Sequence, residues 1–504
     1  TFDTSGMSVF VVYTTNGTIP TKSNGTSVSG AFSNFSDPNR TWSVSIPFSA
    51  NTSGTTIEYV FYISNSDLAS GFARVTPGGG YQTSWTEGDQ NGYTYKVYES
   101  NVPAGGNWSS ISTWNSETVP NSTSLPVEVI GTNAVTLNQD AGVENVSLLS
   151  GSILNLSGGN GNLSNSGTLT ANSSSSLIVN GTSSGNITYN RTIGTTNWYL
   201  ISSPVIGQDI DTFEDVEGLA TGTIANNVGL ADYNNTTPIW EYYQAGASGT
   251  GDFISGDGRS LKLAASGDIA FTGTMPVADV GIAITSNTNG FNLIGNPYPS
   301  FIPGNDPADG NSANDDDILS VNSASLTEQT LWMWNQATNS YDQVNQATAG
   351  KFIAPGQGFF VSSNGSNTFN FTEAMQSHQS TGTFQRTTTN RPEINLVMSV
   401  GSSEKEADIF YIDGTTTGFD NGYDSSIFGG NIEPSDFEIY TQAVANGTGR
   451  NLGIQSLPDN DYENMVIPVG IIATNGAEIT IAANATNLPA GINVYSEDKD
   501  DSSF

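Results

Sequence analysis

Two clusters of acidic residues are the parts of this sequence that could hold a metal ion. Ca²⁺ takes about six to eight oxygen ligands from Asp and Asn side chains and from backbone carbonyls, and both clusters combine Asp with Asn and Gly. Neither has the spacing of an EF-hand loop, so a solvated loop is the alternative for the first cluster and a self-capped Asx turn for the second. The predicted Ca²⁺ ligands are Asp306, Asp309, Asp315, Asp316 and Asp317 in the first cluster, and Asp420 and Asp424 in the second.

Four tryptophans could stack on the ring of a sugar. An aromatic side chain in a strand is more often part of a hydrophobic core, and core packing is therefore the alternative for these residues. The predicted ligand-binding residues are Trp42 and Trp85 within the first hundred residues, and Trp108 and Trp114 just after them.

Catalytic chemistry has little support in the sequence. The chain has one histidine, His378, and no cysteine, which excludes disulfides, zinc–thiolate sites and a cysteine nucleophile. A Ser-His-Asp triad would depend on His378, whose polar neighbours indicate a surface loop. A pair of carboxylates that hydrolyses a glycoside leaves no sequence signature. We therefore predict no catalytic residue and a protein that is not an enzyme, with polysaccharide hydrolysis kept as an alternative.

The charge balance restricts the partners of the chain. It contains 13 Lys and Arg against 48 Asp and Glu, a net charge of −35. Coulomb repulsion disfavours nucleic acid and anionic membranes as partners and favours small cations. The sequence has no apolar run of the roughly 20 residues that a transmembrane helix needs. Its polar, β-rich composition favours an exported protein whose leader has been removed over a cytosolic protein.

Hydrophobic patterning predicts an all-β chain with several domains. Charged residues make up only 12 % and glycines number 56, which favours short strands and polar turns. Alternation over residues 1–100 is typical of an immunoglobulin-like β-sandwich. Over residues 101–195, apolar doublets between polar corners predict a short parallel β-helix, or β-solenoid, with a low-complexity linker as the alternative. We expect a further β-rich domain over residues 196–391 and a C-terminal β-sandwich over residues 392–504.

Two copies of one motif organise the third predicted domain. Gly290 to Ser300 has the sequence GFNLIGNPYPS, and a weaker copy from Asn197 to Val205 has the sequence NWYLISSPV. In each copy an aromatic residue and a Leu-Ile pair predict a short strand, which a proline then ends in a turn. We interpret both copies as architecture rather than as a ligand site. The best candidates for helices are Leu326 to Asn335 and Thr372 to His378.

Five segments together resemble one known group of proteins. They are Trp198 to Pro204, Gly290 to Ser300, Trp332 to Asn335, Pro355 to Val361 and Phe384 to Arg386. Their order resembles that of large surface and secreted proteins exported by the type IX secretion system, and the resemblance covers residues 102–504. It implies an extracellular or cell-surface location, with the outer-membrane translocon or a shuttle protein as a partner during export. It also implies that residues 392–504 precede a C-terminal sorting domain.

The sequence therefore predicts a non-enzymatic secreted cell-surface protein, either an adhesin or a structural surface component. Surface glycans or other surface proteins are its expected partners. One alternative is an extracellular protein that binds or degrades polysaccharide. Another is a self-assembling filament subunit, because strands at Val9 to Tyr13 and near Val494 could offer free edges to a second copy. A molecular mass that does not change with concentration would argue against self-association.

Overall fold

β-strands are the dominant element of the computed structural model and helices are few, which confirms the predicted all-β, multi-domain fold. In the described residues no helix has the length and apolarity that crossing a membrane requires. The α-helices of this part are α1 (Ile210–Val216), α2 (Asp306–Asp309) and α3 (Ile318–Asn322), and its 3₁₀ turns are Ile111–Thr113, Ser323–Ser325 and Glu373–Met375. The structure describes the strands between residues 8 and 100 and residues 105–114, 119–121, 127–132, 134–157, 159, 161–224, 226–309, 316–379, 390–429, 437–445, 449–460, 462–463 and 465–497.

The N-terminal strands pair antiparallel in two sheets. They are β1 (Ser8–Thr14), β2 (Thr26–Ser29), β3 (Ala31–Ser36), β4 (Asn39–Ser43), β5 (Thr56–Ser64), β6 (Phe72–Val75), β7 (Tyr81–Gln82) and β8 (Tyr93–Lys96). One sheet has the order β2-β1-β5-β6-β7, with β8 also on β5, and β3 pairs with β4 in the other. Because β1 is paired on both sides, the free edge expected at Val9 to Tyr13 is wrong.

A short parallel β-helix follows, as predicted, and its strands divide between two sheets. They are β9 (Tyr98–Glu99), β10 (Gly106–Asn107), β11 (Val127–Val129), β12 (Ala134–Leu137), β13 (Ala141–Val143), β14 (Val146–Leu148), β15 (Ile153–Leu156), β16 (Leu163–Ala171), β17 (Ser176–Val179) and β18 (Ser184–Ile193). One sheet runs β9-β11-β14-β16-β18, with β13 also on β16, and the other runs β10-β12-β15-β17. All of these pairings are parallel.

Inward-facing aliphatic side chains hold the β-helix together. Val127, Val146, Leu169 and Ile187 take equivalent positions in successive rungs, and all four are buried. Each such side chain contributes roughly 1.5–3 kcal/mol relative to an exposed one, but only when the next rung covers it. The same buried cluster continues as far as Met275, across the domain boundary expected at residue 195. The expected domain boundaries themselves stay predictions.

The next region contains four small antiparallel sheets. Its strands are β19 (Tyr199–Ser202), β20 (Asn227–Asn234), β21 (Ile239–Gln244), β22 (Gly258–Leu261), β23 (Gly267–Thr274), β24 (Val280–Ile284), β25 (Phe291–Gly295), β26 (Ile302–Pro303), β27 (Leu326–Asn335), β28 (Ser340–Val344), β29 (Phe352–Ile353), β30 (Gly358–Ser363) and β31 (Asn367–Phe371). The sheets are β19-β22-β20-β21, β25-β30-β27-β28, β24-β31 and β26-β29. Strand β23 instead pairs antiparallel with β18 and so joins this region to the β-helix.

The helix expected from Leu326 to Asn335 is wrong, because this segment forms strand β27. The strand pairs with β28 on one side and with β30 on the other. Pairing on both edges satisfies the backbone groups of the strand, and its packing outweighs the weak local preference for helix. The second expected helix, Thr372 to His378, contains only the 3₁₀ turn Glu373–Met375.

The two motif copies meet at one loop that contains glycine. Each copy forms a strand that ends just before its proline region, as predicted: β19 in the weaker copy and β25 in the stronger one. The amide of Ser202 donates to the carbonyl of Gly356 over 3.0 Å, and that of Asn296 donates to Gln357 over 3.0 Å. Both strand ends are therefore fixed to neighbouring residues of the same loop.

The C-terminal strands form one sheet of mostly antiparallel pairs. They are β32 (Glu393–Val400), β33 (Ser403–Tyr411), β34 (Ser425–Ser426), β35 (Glu438–Thr441), β36 (Leu452–Leu457), β37 (Val469–Ile472) and β38 (Thr480–Thr486). The order is β37-β35-β36-β33-β32-β38, with β34 also on β36. Strand β38 lies at the end of this order with exposed side chains, whereas Val494 lies outside any strand. Self-association through this edge stays a prediction.

Replacing Gly358 by Ala should destabilise the fold by about 1–3 kcal/mol, because a methyl group there overpacks the contact between two strands. An added Cβ would lie 2.9 Å from the carbonyl oxygen of Ile201 and 3.0 Å from its nitrogen. Urea unfolding and thermal melting measure the effect. Gly194→Ala is the matched control, since a Cβ at Gly194 has no atom within 4 Å. Equal stability of the two variants would contradict the prediction.

Candidate functional site

A cleft of about 260 Å³ lies beside strand β19. Residues 220–224 and 227–229 form one wall of the cleft, and Trp198, Tyr242 and Lys262 complete the lining. The rings of Trp198 and Tyr242 lie 6.0 Å apart between centroids and are tilted by 60°. Trp198 is half-buried and Tyr242 is 38 % exposed, so both rings are accessible to a ligand.

The motif strand β19 fixes the position of Trp198. Trp198 directly precedes β19, and its carbonyl oxygen accepts a hydrogen bond of 2.9 Å from the Trp334 indole. The side chain of the preceding residue, Asn197, donates to Gln336 Oε1 over 2.9 Å. These bonds hold the backbone of Trp198 against the end of β27 and the turn that follows it. The indole ring takes no part in them and lines the cleft.

Tyr242 reaches the cleft through the alternation of strand β21. The next residue, Tyr243, lies on the opposite face and packs against the buried core. Its hydroxyl donates to Asp232 over 2.9 Å and accepts a 3.1 Å bond from Arg259. Arg259 is only 5 % exposed and also pairs with Asp257 at 2.5 Å. This network of hydrogen bonds and ion pairs fixes strand β21 on its core side, opposite the face that carries Tyr242.

The backbone of Lys262 is held in the cleft wall by two hydrogen bonds. Its amide donates to Gly229 over 2.7 Å, and its carbonyl accepts from Ala220 over 2.9 Å. The backbones of Gly229 and Lys262 lie so close together that a Cβ at Gly229 would lie 2.2 Å from the carbonyl oxygen of Lys262. The ammonium group then lies 5.7 Å from the centre of the Trp198 ring, within the range of a cation–π contact.

A family model matches residues 100–502, and the family is described as a domain of unknown function, DUF8693. The chain belongs to this family. No curated protein and no solved structure matches the chain. The match includes the cleft and all the predicted site residues except Trp42 and Trp85.

The predicted role of Trp108 and Trp114 in sugar stacking is corrected by their burial. Both side chains are 0 % exposed, and their rings form an edge-to-face pair 4.7 Å apart. Each indole nitrogen donates to a carbonyl, that of Trp108 to Pro120 over 2.8 Å and that of Trp114 to Trp108 over 2.9 Å. Neither ring offers a face to a ligand. Trp42 lies in β4, and Trp85 lies outside the described residues.

In the first acidic cluster, two residues bond to Gln346, Asp317 through its carboxylate and Asp306 through its backbone amide. Asp317 is buried and caps α3, where its Oδ1 accepts from the amide of Ser320 over 3.0 Å. Gln346 donates to the same oxygen over 3.3 Å and accepts from the amide of Asp306 over 2.7 Å. Asp317 therefore has a clear structural role as a helix cap.

The remaining members of the first cluster are less informative. Asp309 lies in α2, Asp316 directly precedes the cap residue, and Asp315 lies outside the described residues. The described part of the chain has no group of three or more His, Asp or Glu side chains placed to hold a metal ion. Calcium binding here stays a prediction.

In the second acidic cluster, both carboxylates accept hydrogen bonds from backbone amides of the chain. Asp424 is 0 % exposed and accepts from the amides of Asp420 over 2.7 Å and Ser456 over 2.6 Å. Asp420 accepts from the amide of Thr416 over 2.6 Å. The adjacent Asn421 accepts from the amide of Gln329 over 2.8 Å, which ties this turn to β27. These bonds favour the self-capped turn over a Ca²⁺ site.

The expected surface position of His378 is also corrected. Its ring is half-buried, and Nδ1 lies 2.8 Å from the hydroxyl of Ser176 in strand β17. Burial lowers the pKa of His378. Ser176 is 0 % exposed, so this pair does not reach a substrate. The contact instead joins the β-helix to the following region.

Sequence reasoning missed the cleft although it identified the elements that build it. Trp198 belongs to a motif that we interpret as architecture, and no motif of the sequence singles out Tyr242. The alignment of Trp198 with Phe291 does not distinguish it, because Phe291 is 8 % exposed in the stronger copy whereas Trp198 is half-buried. Nothing in the sequence around Lys262 indicates that it lies near either ring.

Replacing Asp424 by Asn should change how stability depends on pH. Burial raises the pKa of Asp424 to about 7, although its two amide donors act in the opposite direction. A pKa that is higher in the folded than in the unfolded chain adds stability at acid pH, and this stability is lost as the pH rises through about 7. From about pH 5 to pH 8, the unfolding free energy of the wild type should fall by roughly 2 kcal/mol more than that of Asp424→Asn.

Urea unfolding over this pH range measures the difference. The exposed Asp413 supplies the matched control, because Asp413→Asn removes an acidic group that has no buried environment. Parallel pH profiles for the wild type and Asp424→Asn would contradict the prediction.

If the first acidic cluster binds calcium, millimolar Ca²⁺ raises the melting temperature, because a ligand that binds only the folded chain stabilises it. The double variant Asp306→Asn, Asp317→Asn should lose this effect. Asn is as good a helix cap as Asp, so the double variant tests the charge and not the cap of α3. A wild-type melting temperature that does not change with Ca²⁺ would remove the calcium site.

Proposed function

We propose that this protein is a non-enzymatic cell-surface protein, an adhesin or a structural surface component, that binds glycans in the cleft around Trp198. The observation that carries the proposal is the pair of accessible rings of Trp198 and Tyr242 beside the ammonium group of Lys262. Sugars have apolar C–H faces bordered by hydroxyl groups. An aromatic ring can cover such a face, while nearby polar groups bind the hydroxyls at its rim.

The size of the cleft favours a small part of a glycan. Its volume of about 260 Å³ is just below the roughly 300–1,000 Å³ of pockets for drug-sized ligands. The wall residues 221–224 are exposed, so the cleft is open to solvent along this side. One or two sugar units fit such a space, and the rest of a longer glycan would remain in solvent.

The lining favours binding over hydrolysis. The residues that line the cleft, all in the described part of the chain, include no Asp, Glu or His. Glycoside hydrolysis uses two carboxyl groups about 5–10 Å apart on either side of the scissile bond. Polysaccharide degradation therefore has less support at this cleft than glycan binding.

Type IX export is part of the proposal and is supported by the order of the five sequence segments from Trp198 to Arg386. An exported protein of this kind would meet the outer-membrane translocon or a shuttle protein on its way to the cell surface. Glycans and other surface proteins would then be its partners. Surface labelling of intact cells, compared between the parent strain and a translocon mutant, tests this location.

Replacing Trp198 or Tyr242 by Ala should lower glycan affinity about tenfold, because a specific aromatic contact contributes roughly 0.5–1.5 kcal/mol beyond its buried area. A glycan array with the wild type identifies a ligand, and isothermal titration calorimetry compares the variants. Tyr495→Ala is the control, since Tyr495 is 78 % exposed and does not line the cleft. Failure of the wild type to bind any glycan would remove the proposal, as would unchanged affinity in both cleft variants.

A further inference from the structure

Lys262, like Arg191, has no acidic partner among the described residues, but Arg191 donates to the carbonyl of Pro355 whereas Lys262 lines the cleft. Arg259, Arg391, Lys405 and Arg450 each have a carboxylate oxygen within 4.0 Å. Within the described residues, no carboxylate lies this close to Lys262, and its ammonium group contacts the Trp198 ring. In a chain with 48 acidic and 13 basic residues, a cation that lines a cleft without a carboxylate is available to a ligand.

The cleft wall holds the backbone of Lys262 and covers part of its side chain. The amide and carbonyl of Lys262 both bond to neighbouring wall segments, at Gly229 and Ala220. The side chain is half-buried, so part of its freedom is already lost before a ligand binds. An ordered cation costs less entropy on binding than a mobile surface lysine does.

The net charge of −35 opposes an anionic ligand, and the distances decide which effect is larger. Charges in solvent are largely screened beyond about 8–10 Å at physiological ionic strength. At about 4 Å, an ion pair near a protein surface gains several times the energy it would gain in bulk water. No carboxylate lines the cleft, so for a ligand seated there the adjacent ammonium group outweighs the screened net charge.

We infer that the cleft recognises a sugar that carries a carboxylate, such as a uronic acid. Lys262 Nζ pairs with the ligand carboxylate, and Trp198 and Tyr242 contact the faces of the sugar ring. The inference rests on the proposed glycan-binding function and adds the chemical class of the glycan. It also assigns specificity to Lys262, because a neutral sugar has no charge for this group to pair with.

Calorimetry with two matched probes, a galacturonic acid oligomer and the neutral galactose oligomer of the same length, tests the inference on the whole chain. We expect the acidic oligomer to bind the wild type at least about tenfold more tightly, the effect of one ion pair of roughly 1.4 kcal/mol. Lys262→Gln should remove this preference, so that the variant binds the acidic and the neutral oligomer with similar affinity. Lys262→Arg keeps the charge and should retain most of the preference.

The outcomes separate the two proposals. Equal affinity for both oligomers, or a preference that survives in Lys262→Gln, overturns the assignment of an acidic sugar but leaves glycan binding in place if Trp198→Ala still weakens it. Binding of free acetate as tightly as the acidic oligomer also overturns the inference, because the sugar ring would then contribute nothing. The absence of binding to any glycan overturns both proposals.

Discussion

The close contact of the two motif strands with the loop at Gly356 is the constraint on which the central region depends. The end of β19 lies so near the loop that a Cβ at Gly358 would lie 2.9 Å from the carbonyl of Ile201. At Gly295, on the other motif strand, a Cβ would lie 2.5 Å from Ser202. Two sheets can therefore meet here only because glycine leaves room for the backbones. The turn after β25 also contacts the β-helix, where the amide of Leu177 donates to the carbonyl of Pro299 over 2.8 Å.

The modules of the chain are joined by several kinds of contact. Strand β18 of the β-helix pairs along its length with β23. Gln376 bonds in both directions to Val179 in β17, over 3.0 and 2.9 Å. On the C-terminal side, Phe428 stacks on Tyr341 at 3.8 Å and contacts Phe291 at 4.6 Å. Apolar and polar contacts therefore act together at these junctions.

The cleft illustrates how an architectural motif can acquire a surface role. In the stronger copy the aromatic residue, Phe291, packs with Trp332 and Phe428 in a buried cluster. In the weaker copy the equivalent residue, Trp198, is only half-buried, and its ring remains accessible beside Tyr242. Both strands end in similar turns, so the difference comes from what surrounds each ring. The same local structure therefore supports a core contact in one place and a candidate binding surface in the other.

The sequence by itself determined the all-β class, the parallel β-helix and the two strand-and-proline motifs, because repeated apolar doublets and prolines act locally. It did not determine that Leu326 to Asn335 is a strand, since pairing partners far along the chain decide this. Nor did it determine that Trp108 and Trp114 are buried or that Asp424 is taken up by backbone amides. Residues 198, 242 and 262 are distant in sequence, and only tertiary packing could bring them to one cleft.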